Sequence, residues 1–343
     1  MNSRPIDLSL LRTVRLAMTS RRQALVALGA CVLTAPLVGI AQTSRPYRVG
    51  WIALGKPGAP SPFLEAFRQG LKQRGYVEGR DVVIEVRHAD GSRERADRMA
   101  AELVQAKVDI VVAQGAAVYS AVGHAGTVPV VMGFSGDPVE AKFVGSIARP
   151  GGTRTGMSFL SLDLVGKRLE VLAQVLPAGA RTAVIADPEH PGEQSEFRAS
   201  QRAAQAVGLR LSYFPVRSAA ELDGALAKIA GDGTQAIVAF PDALTLDNRE
   251  HLAIFGLKQR MPLVSGWSLF ADSGFLMSYG PNLRDCYAHL ATFVDKILKG
   301  ARPGDIPIEF PTSVEFVVNA KTAKKIGVQV PPSLMVRADR VIE

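Results

Sequence analysis

A chain of 343 residues, 47% hydrophobic and only 6% aromatic, buries one large core or two moderate ones, so a peptide-sized scaffold is excluded. Two cysteines exclude a disulfide-stapled fold, and no tract is biased enough to stay disordered. The formal net charge of +8 is halved once the first 41 residues, with Arg4, Asp7, Arg12, Arg15, Arg21 and Arg22, are set aside; beyond them the charges are mixed in sign, as in Gly91–Arg98, which speaks against a nucleic-acid-binding stripe.

The first segment reads as an export leader. Arg21 and Arg22 precede an apolar run from Ala24 to Ala41 that ends on small residues, and polar Gln42 follows. Residues 1–41 are therefore expected to be a cleaved signal peptide. Ser20–Leu25 is similar to a twin-arginine signal, with Ala24 where that motif prefers Phe. Pro36 and the early polar stop argue against a membrane span. Leu28–Cys31 also fits a lipobox, but the ten residues after Cys31 stay apolar, so a free periplasmic protein is preferred over a lipid-anchored one. With Cys31 removed, Cys286 stands alone, and no disulfide, redox or metal pair is expected.

From Tyr47 the pattern becomes short apolar runs alternating with amphipathic stretches. Strands are predicted at 48–53, 82–86, 108–113 and 128–132, with helices over 62–74, 92–106 and 116–125. Phe63, Leu64, Phe67 and Leu71 recur at helical spacing, and Gly75 closes that helix. A glycine-rich joint at 151–159 leads to a second set: strands at 183–186, 209–213, 235–240 and 262–265, helices over 193–207, 219–230 and 244–259. A helix over 283–299, a strand near 308–318 and a short helix at 320–326 remain, and their simplest use is to cross back. Alternation of this kind demands parallel sheets covered by helices. The expectation is an α/β protein of two Rossmann-like lobes joined by a multi-crossing hinge: 46–155 plus about 283–325, and 156–282 plus about 326–343.

In open α/β sheets ligands bind beyond the carboxyl ends of the strands. The loops there offer Gly55 and Ser61, then Gln114, Gly115 and Ala116, then Ser135 and Asp137. In the second set they offer Asp187 and His190, then Asp242, then Trp267 and Phe270. Free amides at helix starts suit a carboxylate, the aspartates an ammonium, and Trp267 and Phe270 an aromatic wall. Each also has a plainer reading, since Ser and Asp before helices ordinarily cap them. Gly50, Gly55 and Gly58 miss the dinucleotide spacing. No Walker sequence or Gly-x-Ser-x-Gly elbow is present, and the five histidines are scattered. No catalytic residue, cofactor or metal is expected.

Phe63–Leu71, Gly75–Gly79, Gly136–Pro138, Ala148–Gly152, Gly166–Glu170, Met277–Asn282, Val294–Gly300, Asn319–Ala323 and Pro331–Leu334 together resemble the ABC transporter substrate-binding family that includes tryptophan/tyrosine-type transport receptors. The resemblance spans 47–343. It implies a type I periplasmic-binding-protein fold, a small-molecule solute such as an amino acid, and ABC permease transmembrane subunits as partners. The expectation is a monomer that binds no nucleic acid, is exported to the periplasm by its leader, and takes its solute by closing like a clamshell. Asp187-Pro188 replaces the family's frequent Asn-Pro, and Ala116–Tyr119 lacks the Thr or Ser often found there. A sensor presenting its solute to a membrane receptor, and an exported enzyme on the same scaffold, are the alternatives.

Overall fold

The structure is a computed structural model that describes residues 45–343 except 56, 57, 59, 60 and 161. The leader expected over 1–41, with Cys31, lies outside the described residues. Among the described residues, no helix is long and apolar enough to cross a membrane.

Strands β1 (Tyr47–Ala53), β2 (Val82–His88), β3 (Ile110–Gln114), β4 (Val130–Phe134) and β5 (Arg154–Ser158) form one sheet in the order β2-β1-β3-β4-β5, parallel throughout. Helices α1 (Pro62–Gln73), α2 (Arg93–Gln105) and α3 (Ala117–His124) connect its first four strands. Burial on both faces explains why β3 and β4 read as continuous apolar runs rather than alternating ones.

The second sheet contains β6 (Arg181–Ala186), β7 (Arg210–Pro215), β8 (Ala236–Ala239), β9 (Leu263–Ser265), β10 (Met277–Pro281), β11 (Val314–Asn319) and β12 (Arg340–Ile342), in the order β12-β11-β10-β9-β8-β6-β7. Only the β10–β11 pair is antiparallel. Its helices are α4 (Asp163–Ala173), α5 (Glu193–Val207), α6 (Ala219–Gly231), α7 (Ala243–Asp247), α8 (Arg249–Gln259) and α9 (Ser268–Asp272). Then come α10 (Leu283–Leu298), α11 (Ala320–Ile326) and α12 (Pro332–Arg337).

Three features differ from the sequence reading. The glycine-rich segment expected as a joint contains β5, an edge strand of the first sheet that runs past residue 155 to Ser158. Gly156 sits there at φ +137°, and a Cβ would meet the Met132 backbone of β4. The single helix expected over 244–259 is broken at Asn248 into α7 and α8. The strand expected near 308–318 is two pieces with different allegiances. Residues 304–309 lie along β5, where Thr155 Oγ1 donates to the Ile306 carbonyl (2.9 Å) and Ser158 N–H to that of Glu309 (3.0 Å). β11, from Val314 on, pairs with β10, and α11 packs against α8. The physical reason is edge pairing: β11 buries Phe316 and Val318 on the second core while satisfying the backbone of β10.

The helix over 283–298, by contrast, packs against α1, β4 and β5. Tyr287 brings its ring to 4.6 Å from Phe63, 5.2 Å from Phe159 and 5.9 Å from Trp51, centroid to centroid. The first sheet is thus covered by a helix that follows β10 of the second sheet in sequence.

Candidate functional site

The carboxyl ends of both sheets face a shared cleft. Its inner cavity, about 160 Å³, is walled by loops after β1, β3 and β4 on one side and by α7 and the loop before α9 on the other. Local sequence explains the walls. Ser61 caps α1 by accepting the Leu64 N–H (3.2 Å), with Pro62 in the first turn, and this aims Phe63 at the cleft. After β3 the chain turns at Gly115 (φ +56°), and α3 begins with no side-chain cap. Its Val118 and Tyr119 amides turn back instead onto the Gly115 and Ala116 carbonyls (3.1 and 3.3 Å).

An outer cavity of about 250 Å³ adjoins the first and shares Gly55, Phe63, Gln114, Leu246 and Asp247 with it. His88 and Arg249 line only the outer one. The inner walls are largely apolar: Leu54, Phe63, Phe159, Trp267, Leu283 and Tyr287. Against them stand buried polar atoms with no hydrogen-bond partner, namely Gln114 Oε1, Trp267 Nε1 and, in the outer cavity, His88 Nδ1. Burial pushes the pKa of His88 down, favouring the neutral ring. Burial likewise holds the Tyr287 phenol far above its ordinary range.

The twelve residues singled out from sequence separate cleanly. Gly55, Gln114, Gly115, Ala116, Ser135 and Trp267 line the inner cavity, and Ser61 the outer one. The other five line neither cavity. Asp137 Oδ1 accepts from the Val139 and Glu140 amides (2.7 and 3.1 Å), closing a turn. Asp187 Oδ1 does the same for Glu189 N–H (2.9 Å). Asp242 is buried: Oδ1 accepts from Thr245 N–H (2.7 Å) as the cap of α7, and Oδ2 from Asp187 N–H (3.1 Å). Phe270, expected as an aromatic wall, is fully buried between Trp267 and Phe275. His190 lies beside Phe134, with Nε2 buried and unpartnered.

Sequence reasoning missed Phe63, Phe159, Leu246, Asp247 and Tyr287 as lining residues. Phe63 carried a signal, since it starts the helix directly after the first strand-end loop. Asp247 was hidden inside the single helix expected there, although Asn248, a good capping residue, marked the break. Tyr287 gave none, because α10 reaches the cleft only through tertiary packing.

The lobes also touch beside the cleft. Asp137 N–H donates to the Pro191 carbonyl at 3.0 Å, joining the loop after β4 to the loop after β6.

Residues 61–342 match the family described as ABC transporter substrate binding protein. A curated relative, the tyrosine-binding protein of Clostridioides difficile strain R20291, is 22% identical over 270 residues, covering 77% of this chain and 76% of that one. Among solved structures, a conserved domain protein from Vibrio cholerae superposes with a TM-score of 0.77 at 24% identity, over 87% of this chain and all of the other. An ABC domain from Streptococcus pneumoniae in complex with L-Trp gives 0.78 at 21% identity, with the same coverage. Both share the fold described above.

Proposed function

The chain belongs to the ABC transporter substrate-binding protein family, and from that membership we propose that it is the extracytoplasmic receptor of an importer, taking a small amphiphilic solute of the amino-acid kind into its cleft and presenting it to a permease. Members of this family are solute-binding proteins. The observation that carries the reading is the inner cavity: apolar walls from both sheets enclose a buried acceptor, Gln114 Oε1, and a buried donor, Trp267 Nε1, neither with a partner in the protein. Unpaired buried polar atoms cost free energy unless something binds them, so such a cavity is built for an occupant with an apolar body and polar ends.

Phe63, Trp267 and Tyr287 suit a flat apolar side chain. The C. difficile relative is named for tyrosine and the S. pneumoniae structure holds L-Trp, which supports an aromatic or large apolar amino acid here. The moving bodies in this reading are 45–158 with 283–309, and 163–281 with 314–343. A solute touching both favours the closed form by its extra affinity for it. No chemical step is assigned to the site. The leader would deliver the protein to the periplasm, where it acts as a monomer.

Mass spectrometry of solute released from the purified protein, followed by thermal-shift titration after stripping, tests this. One amino acid should co-purify and raise the melting temperature again, by the equivalent of about 2.7 kcal/mol at a hundredfold excess over Kd. An empty protein that no amino acid stabilises would refute the receptor reading.

A further inference from the structure

Asp247 is the one acidic side chain on either cavity, and it lines both. It closes α7 at the junction between the inner and outer spaces, beside Leu246. Among the described residues its carboxylate accepts no hydrogen bond and forms no ion pair.

The other titratable groups facing these cavities do not neutralise it by contact. Arg249, on the outer cavity only, donates from Nη1 to the Leu246 carbonyl (2.9 Å) and places Nη2 3.6 Å from Glu250. Burial pushes the His88 pKa down, which favours its neutral form. Tyr287 keeps its proton. Among the described residues, Asp247 is the one charged side chain that reaches the apolar inner chamber, with Arg249 beside it on the outer cavity alone.

Resting on the receptor reading, we propose that Asp247 is the charge-selecting residue of the cleft and that the solute carries a protonated amine: an apolar amine or amino acid, not a simple organic acid or sugar. The ammonium sits against Asp247 between the two cavities, and the apolar part lies inward on Phe63, Trp267 and Tyr287. Desolvation already pushes the Asp247 carboxyl up, with Arg249 offsetting part of the effect, and an incoming cation relieves the same strain. An organic acid would meet like charge there, and a sugar would leave the carboxylate uncompensated.

Three probes that share one ring separate the possibilities by isothermal calorimetry: L-phenylalanine, 2-phenylethylamine and 3-phenylpropionate. The first two should bind, and 3-phenylpropionate should bind at least about tenfold more weakly, the size of one charge-assisted contact. Asp247→Asn should weaken the two amines by about tenfold or more and leave 3-phenylpropionate no weaker. The Asp247 carboxylate closes α7 without a hydrogen-bond partner among the described residues, so the substitution removes no contact of the fold, and circular dichroism verifies that the variant folds. Equal binding of 3-phenylpropionate and L-phenylalanine, or an undiminished preference for amines in Asp247→Asn, overturns the assignment while the receptor reading stands. Binding of none of the three overturns both.

Discussion

Arg168 of α4 and Glu196 of α5 form an ion pair of 2.5 Å with both side chains almost wholly out of solvent, at 3% and 5% exposure. Arg168 Nε also donates to the Tyr279 carbonyl of β10 (3.0 Å). Two helices and the second sheet are therefore tied at one guanidinium. Gly266, next to Trp267, leaves room for it: a Cβ there would come within 3.1 Å of Arg168 Cζ.

Breaking this pair from one side should be costly, because the remaining charge is buried alone. Arg168→Met or Glu196→Gln is expected to lose about 3–5 kcal/mol in urea unfolding. Replacing both with apolar residues of similar volume should recover most of that loss. Single variants within about 1 kcal/mol of the parent would show that water reaches the pair.

Gly136 reports on the approach of the two lobes. A Cβ at this position would stand 2.6 Å from the Pro191 carbonyl oxygen across the cleft and 2.9 Å from the Phe134 ring. Gly136→Ala is expected to weaken solute binding severalfold while the melting temperature of the empty protein falls little. A large drop in that temperature with unchanged affinity would mean the Phe134 clash dominates.

Asp242 and Asp247 lie five residues apart on one short helix and should respond oppositely to substitution. Asp242 holds two backbone amides, so Asp242→Ala should destabilise the fold by roughly 1–3 kcal/mol. Asp242→Asn, which keeps one acceptor, should cost less, since burial already pushes this carboxyl up. If Asp242→Ala instead left stability alone and abolished binding, Asp242 would be a ligand contact rather than a cap.

For Asp247 the raised pKa sets a pH signature. A carboxyl whose folded-state value lies above its unfolded value favours the fold when protonated, and that contribution disappears as pH rises through the folded value. At neutral pH the ionised group is therefore a small liability, and Asp247→Asn should raise the melting temperature of the empty protein slightly. An ammonium solute needs the ionised form, so affinity should fall as pH drops through the raised value. Calorimetry from pH 4 to 8 reads this directly, and a flat profile in the parent would contradict it.

Parallel strands buried on both faces made the α/β alternation legible, because Ile110–Ala113 and Val130–Met132 are unbroken apolar runs bounded by turn residues. β10 was not legible: Ser278, Gly280 and Pro281 leave it little apolar signal, and its place comes from pairing with β9 and β11. The allegiance of residues 304–319 was equally hidden, since periodicity marks a strand without saying which sheet accepts it. The cleft was half legible. The strand-end rule found Gln114, Ser135 and Trp267, which have no stronger local use. It also picked Asp137, Asp187 and Asp242, whose carboxylates are held by nearby amides. Local hydrogen bonding competes with ligand binding for short polar side chains, and sequence alone does not say which prevails.

The packing of Tyr287 on Trp51 and Phe63 bears on how the molecule is made. As the chain leaves the ribosome, the first sheet is complete by Ser158, yet the aromatic face that α10 covers stays bare for well over a hundred further residues. The second sheet likewise waits for its last two strands, β11 and β12. Each half acquires its last covering or pairing elements only after Pro281. A fragment ending near Pro281 should accordingly be sticky and unable to fold, however complete its first five strands look on paper.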